Sequence, residues 1–234
     1  SVWLHNSVRG AAGLAAAGGA PSLEIVRAEL DVPGAGVRDA EPEALPPDEL
    51  PPGADAGLFL HDLFEQADLA GVRAARDARA WADDAAVLIA DCARARGIAT
   101  AYHAHAARLV HGTLTAPLVL PDGRELPPLV DASGLAREVA FAYPIPGTPV
   151  RGLVKGFIDA LVAYDDDLWV LDYKSDRLAD PARAREHADE HYVVPARLYA
   201  LAADRLRTGR TLRGVLFAFV RHGLVVHVAI DDAA

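Results

Sequence analysis

The stretch GFIDALVAYDDDLWVLDYKS, residues 156–175, restricts what this chain can fold into more than any other part of it. Two apolar runs, 156–164 and 168–173, flank an Asp-rich turn, and their β-branched and aromatic residues are those of a hairpin. Each run carries one aspartate among apolar neighbours, Asp159 in the first and Asp172 in the second, with Lys174 just beyond. If Asp165 and Asp166 form a two-residue loop, Tyr164 lies opposite Asp167, and counting along the ladder sets Asp159 across from Asp172. Alternation with period two then puts Lys174 on the same face. A three-residue loop with a bulge keeps this alignment, and an unbulged one breaks it. Charges in such surroundings are costly unless they pair with one another or with a metal ion. A surface hairpin with ordinary ion pairs is the bland alternative, and it leaves the apolar neighbours of both aspartates unexplained.

In its order and spacing (G-x-I-D, a short turn, then D-Y-K-[ST]) the hairpin resembles the nuclease domain of RecB and AddA helicase-nucleases, a branch of the PD-(D/E)XK superfamily. D-x-K by itself is a weak signal; the combined pattern is much stronger. Upstream, residues 54–70 (ADAGLFLHDLFEQADLA) have helical periodicity, with Leu60, Leu63, Phe64 and Leu69 on an apolar side and His61, Glu65 and Asp68 on one polar stripe. A lone His on a helix is usually structural. Here GLFLHDLFE is similar to the family's G-x-x-x-H-x-x-x-E helix, and the resemblance implies a metal-site role for His61 with Glu65 as a supporting partner. Residues 135–143 (LAREVAFAY) read as the first strand of the core, followed by a Pro-rich bend. Glu138 resembles the glutamate of the family's R-E-V-x-F strand, which lies close to the catalytic carboxylates; otherwise it is a charge on a strand's wet side.

The resemblance covers residues 57–230 and implies a mixed α/β fold, a mixed central β-sheet flanked by helices with a restriction-endonuclease-like core. Residues 181–207 read as a helix packing on that sheet, with 214–220 and 224–230 as its closing strands. One departure stands out. The family carries Q-x-x-x-Y in this helix, whereas here Pro195 occupies the glutamine position and Tyr199 fits the tyrosine. Proline breaks or kinks a helix outside its first turn. Arg197 is left as a phosphate-binding substitute.

Phosphodiester hydrolysis needs an activated water, neutralisation of charge on the phosphate and help for the departing 3′ oxygen. Carboxylates are hard ligands suited to Mg²⁺ or Mn²⁺. The family resemblance thus implies Asp159 and Asp172 as metal ligands, the Tyr173 main-chain carbonyl as a further one, and His61 completing the shell. Lys174 orients or deprotonates the water or stabilises the pentavalent phosphate. Of 23 basic residues only Lys155 and Lys174 are lysines, so a lysine at the D-x-K position is less easily accidental.

Elsewhere the sequence excludes more than it assigns. The single cysteine, Cys92, rules out an internal disulfide and a four-cysteine iron–sulfur cluster, and reads as a small packing residue. No G-x-x-x-x-G-K-[ST] loop is present, so a helicase motor would lie outside these residues or in a partner subunit. No apolar run approaches the 18 or so residues of a membrane span, and SVWLHNSVRG lacks a signal peptide's long apolar core, so a cytoplasmic location is expected. The charge of −10 sits awkwardly with DNA binding, but it is concentrated: residues 1–72 hold three basic and twelve acidic residues, and 181–221 hold eight basic and four acidic. Residues 1–53 read as an Ala/Gly-rich helical appendage followed by a Pro- and acid-rich linker, and 54–234 as the nuclease domain. Helices are expected over 72–95 and 98–111, and a hairpin turning at Asp122 and Gly123 over 115–128. Arg73, Arg76 and Arg79 suggest a phosphate-facing stripe or, more often, a solvated face. His103, His105 and His111 lack a completing ligand set.

The expectation is therefore a metal-dependent nuclease acting on single- or double-stranded DNA ends, an exonuclease or endonuclease module serving a helicase-nuclease in break repair. A catalytically inactive DNA-binding or scaffold module of the same fold is the alternative, motivated by the missing glutamine and the acidic charge. An RNA- or single-strand-specific defence nuclease is a third reading.

Overall fold

The computed structural model describes residues 48–144 and 153–229. The helical appendage, most of the linker before residue 54 and the Pro-rich bend lie outside the described residues. Five strands form the main sheet in the order β3 (Gly134–Pro144), β4 (Leu153–Tyr164), β5 (Asp167–Lys174), β6 (Thr211–Phe219) and β7 (Leu224–Ala229). The β5–β6 pair is parallel and the other pairs are antiparallel, so the sheet is mixed. A parallel pair needs a crossover, and α6 (Ala184–His191) with α7 (Val193–Leu206) supplies it. A small hairpin, β1 (Leu118–Val119) and β2 (Glu125–Leu126), turns through Asp122 and Gly123 as expected.

Helices cover both faces. On one, α1 (Ala54–Gln66) and α5 (His103–Thr115) bury Phe59, Leu60, Leu63, Phe64, Val110 and Leu114 in a core shared with Val162, Trp169, Leu171 and Leu216. On the other, Ala196, Tyr199 and Ala203 of α7 pack on Val170, Val215, Phe217 and Phe219. Strands buried on both faces read as unbroken apolar runs rather than alternating ones, which is why LWVL and GVLFAFV were recognisable. Cys92 is buried in the first core.

Two helices expected as single rods are divided. Residues 72–95 form α2 (Leu69–Ala74), α3 (Ala78–Asp84) and α4 (Ala86–Arg96). Asp77 accepts the Ala80 N–H at 2.8 Å and Asp68 the Gly71 N–H at 3.0 Å, so each aspartate starts a new helix against the helix-forming tendency of its Ala/Arg surroundings. Arg73 and Arg79 consequently stand on different helices with Arg76 between them, and no stripe forms. Arg73 instead pairs with Asp131 at 2.9 Å. The second division falls between α6 and α7 at Tyr192. Pro195 occupies the first turn of α7, has no N–H for the His191 carbonyl and crowds it, so the first helix ends there.

Leu50, inside the stretch read as linker, is fully buried. Its N–H donates to His105 Nδ1 at 2.8 Å, and Arg221 donates to the Leu50 and Pro51 carbonyls at 2.7 and 2.9 Å. The chain entering α1 is thereby fixed to the β6–β7 turn. Among the described residues no helix is long and apolar enough to cross a membrane.

Candidate active site

Asp165 and Asp166 form the expected two-residue turn, with Asp165 at φ 52° and Tyr164 opposite Asp167. The register is the one that aims Asp159 at Asp172, yet pairing between β4 and β5 stops one step short, at Ala160 opposite Leu171. Asp159 fills the gap: its Oδ2 accepts the Tyr173 N–H at 2.8 Å. A main-chain donor that the ladder no longer satisfies is satisfied by a carboxylate, as a buried N–H requires.

Asp172 and Lys174 share one side of β5, as expected, and meet at 2.9 Å, but the alternation of faces breaks on β4 at Asp159. On β4, Val154 and Ile158 pack toward α6 and α7, while Ala160 and Val162 pack toward α1 and α5. On β3, Leu135 packs toward α1 and α5 but Val139 and Phe141 toward α7. The two breaks face each other, because Arg137 pairs with Ala160 and Val139 with Ile158 on either side of Glu138 and Asp159. Glu138 has φ 49°, a left-handed conformation that is strained for a side-chain-bearing residue and tends to persist at functional sites. The result brings the Glu138 and Asp159 carboxylates to His61 on α1: ligand atoms of all three lie within 4.8 Å of one another.

Helix α1 is held at the right height by contacts at both its ends. A Cβ on Gly57 would come within 2.9 Å of Ser175 Oγ, so glycine one turn before His61 lets the helix approach the end of β5. Arg137 donates to the carbonyls of Phe64 and Ala67 at 3.0 and 2.7 Å, tying the helix C-terminus to β3. Between them the Phe64 and Tyr173 rings stack at 3.9 Å. Behind β3 and β4, Gly156 receives the Phe141 ring, whose Cζ would lie 2.7 Å from an added Cβ.

The charges are deeply placed: His61 is 9 % exposed, Asp159 7 %, Asp172 0 % and Lys174 1 %. Burial works against a charged imidazole at His61, but Asp159, 3.5 Å from Nδ1, outweighs it and holds the His61 pKa above its ordinary value. Burial likewise pushes Asp159 up, and the His61 charge and hydrogen bond overcome it, leaving Asp159 below the usual carboxylate range. Asp172 goes the other way. Burial and then the Asp159 charge and hydrogen bond drive it well above that range, against the pull of the His61 charge. The Lys174 Nζ lies 2.9 Å from Asp172 Oδ2. The two carboxyls meet through a hydrogen bond, and their pKa values move apart, Asp159 down and Asp172 up. Glu138 is pushed up to about 7 by partial burial, by Asp159 and by Glu65.

Lys174 points toward α6 and α7, with Nζ 4.3 Å from the Tyr192 ring centroid and 5.5 Å from that of Phe217. Tyr199 is buried, and its phenol is raised by burial and then by Asp172 and Asp159. Arg197 is exposed, about 200° around α7 from Tyr199, and is not brought to the carboxylates. Glu65 is exposed at the rim. The three histidines of residues 103–111 form no cluster: His103 lies by Phe59, His111 by Trp81, and His105 serves Leu50.

Two carboxylates and an imidazole at this spacing, beside Asp172, fit a divalent cation: donors on one such ion stand about 3 Å apart when adjacent and about 4 Å when opposite, so small side-chain movements would close the three around it. Glu138, expected only as an auxiliary, stands with His61 and Asp159 in that group. Its pointer in the sequence was its place in REVAF; its turned backbone had none. Nor did spacing reveal Tyr192, which reaches Lys174 only because the helix divides.

A profile of the PD-(D/E)XK nuclease superfamily matches residues 34–230. No curated protein matches the chain.

Proposed function

The chain belongs to the PD-(D/E)XK nuclease superfamily, and from that membership and the buried site we propose that it is a divalent-metal-dependent deoxyribonuclease, the nuclease module of a RecB- or AddA-like helicase-nuclease acting on DNA ends in the cytoplasm. The observation that carries the proposal is the meeting of His61, Glu138 and Asp159 within 4.8 Å, beside an Asp172–Lys174 pair with almost no solvent access. A fold gains little from burying such a set, because each charge is costly to desolvate and apolar packing would serve stability as well.

Asp159, Glu138 and His61 would hold a Mg²⁺ or Mn²⁺ ion, with Asp172 turning toward it and the Tyr173 carbonyl completing the shell. When bound, such an ion polarises the phosphate and lowers the pKa of the attacking water. In the reaction the water oxygen bonds to phosphorus, the P–O3′ bond breaks, and the proton lost by water ends on the 3′ oxygen. Lys174 directs its N–H groups at the phosphate oxygens as charge grows there, held by Asp172 on one side and the Tyr192 ring on the other. Tyr199 is buried close to Asp172 and Asp159, and Arg197 stays on the outer face of α7.

Incubation of linear DNA with the protein and Mg²⁺ or Mn²⁺ tests this, with Asp159→Asn as control. Metal-dependent cleavage lost in the variant is expected. Absence of cleavage by the unaltered protein, alone and joined to a helicase partner, would favour the non-catalytic scaffold suggested by the Pro195 substitution.

A further inference from the structure

We propose that Tyr192 is a positioning residue for Lys174: the helix division enforced by Pro195 seats the Tyr192 ring beneath the ammonium and fixes where it points. The inference rests on the nuclease reading for its consequence and on geometry for the contact itself. Helix α6 ends at His191 and α7 starts at Val193, leaving Tyr192 at φ −120° and ψ 3°, outside helical geometry. Had the helix run straight, this side chain would leave at another angle. Its ring instead lies 4.3 Å from Lys174 Nζ, and its hydroxyl donates to Asp176 Oδ2 at 3.1 Å, so the ring is held from its far edge as well. The Phe217 ring packs 5.1 Å away on the adjacent strand and fixes its tilt. Tyr192 is 4 % exposed.

An ammonium over an aromatic face is attracted by the ring's negative quadrupole, and the attraction grows when water is excluded. Lysine has four rotatable bonds and would otherwise fold onto Asp172 alone. With the carboxylate on one side and the π-face on the other, Nζ is confined, leaving its remaining N–H bonds for a phosphate oxygen. Removing the ring would release the ammonium while leaving the ligands His61, Glu138 and Asp159 in place. The loss expected is roughly thirty-fold in kcat, the rate equivalent of about 2 kcal/mol.

The chain has only two lysines, so ¹³C,¹⁵N-lysine labelling gives one side-chain set for Lys155 and one for Lys174. In the unaltered protein the Lys174 ε-methylene protons should be shifted upfield by the Tyr192 ring current, and Tyr192→Leu should remove most of the shift, leaving the smaller part due to the Phe217 ring. Replacing Tyr192 by phenylalanine should keep most of the rate. Mono-, di- and trifluorophenylalanine at the same position keep the ring's size while draining its π-density, so kcat should fall stepwise with fluorine count, at constant KM for DNA and constant stabilisation by Mn²⁺. A packing role would leave that series flat. Absence of the upfield shift, or equal kcat across the fluorinated series, overturns the proposal. A protein that shows the shift but cleaves nothing refutes the nuclease reading and with it the positioning role, while the contact itself stands.

Discussion

The Asp159 carboxylate accepts the Tyr173 N–H at 2.8 Å and so replaces the main-chain partner that β4 ceases to offer β5. One side chain is thus both a piece of the sheet and a candidate metal ligand. Substitutions at this position must be chosen to separate the two roles.

Asp159→Asn does so, because the amide retains an oxygen for Tyr173 and loses the charge. The unaltered protein at Mn²⁺ a hundredfold above its dissociation constant should gain about 2.7 kcal/mol, which for a chain of this size corresponds to roughly 5–10 °C in melting temperature. The variant should gain little, and its cleavage of DNA should vanish. Equal thermal shifts in the two proteins would mean that the ion sits elsewhere.

The site's own contribution to stability without metal should depend on pH in a direction opposite to ordinary acid denaturation. Glu138 has its folded pKa raised to about 7, above the unfolded value, so the folded state holds a proton that the unfolded state releases, and stability falls as pH rises toward 7. Asp172, raised by burial and by Asp159, acts in the same sense. His61, also raised, contributes stability below its ordinary pKa that is lost as pH passes its folded value. Asp159 is lowered, and its contribution disappears only in acid below the usual carboxylate range. Five histidines lowered by burial, His103, His105, His187, His222 and His227, act in the opposite sense, gaining stability as pH rises toward the ordinary imidazole value. The site's share is therefore read as the melting temperature in chelator minus that of Glu138→Gln, a difference that should decline from pH 5 to 8, while the increment from Mn²⁺ grows over the same interval as bound protons are displaced. A difference that grows across this interval would contradict the assigned proton position at Glu138.

Gly57 offers a test of how closely α1 must approach the strand end. A methyl there meets Ser175 Oγ at 2.9 Å but Ser175 Cβ only at 3.9 Å. Gly57→Ala gains about 1 kcal/mol of helix propensity and meets an overpacking cost of about 1–3 kcal/mol. The single variant should be neutral to destabilised and bind Mn²⁺ more weakly as His61 shifts. Gly57→Ala with Ser175→Ala should recover both, giving a clear non-additivity in a double-mutant cycle. Additive effects would show that the hydroxyl is not the obstacle.

How far the sequence announced this structure depended on whether a feature was local and periodic. The β4–β5 turn, the sheet's closing strands and the helix bearing His61 were readable because apolar spacing and turn residues fix them within a few positions. The breaks at Glu138 and Asp159 were not, since both arise from two strands turning together, and neither strand alone carries a glycine or proline at the point to mark it. The division of residues 72–95 could have been read: Asp77 had the makings of an N-cap, but the Ala/Arg composition around it argued for continuity. Pro195 was rightly seen as a helix disruptor. What could not be seen was that the disruption aims Tyr192 at Lys174, a contact 18 residues away in sequence and set by how α7 packs on β6.

Lys174 separates enzyme from scaffold. It is 1 % exposed, 2.9 Å from Asp172 and above the Tyr192 ring. In the nuclease reading its N–H groups act on the phosphate during the chemical step while His61, Glu138 and Asp159 hold the ion. Lys174→Ala should then leave Mn²⁺ stabilisation and DNA affinity nearly intact and lower kcat by about 10²–10³ or more, the scale for a preorganised donor in a water-excluded site. Some stability will also be lost, since a buried partner is removed from Asp172, and this is why kcat and melting temperature must both be measured. Lys174→Arg should not restore the rate: the planar guanidinium is larger than the ammonium that Asp172, Tyr192 and Phe217 surround, and its fork cannot present a single point charge at the same place. In a scaffold the same substitutions would change stability and leave no cleavage to lose. Metal-dependent cleavage that survives Lys174→Ala at an undiminished rate would remove the lysine from the mechanism, and with it the main reason for its burial.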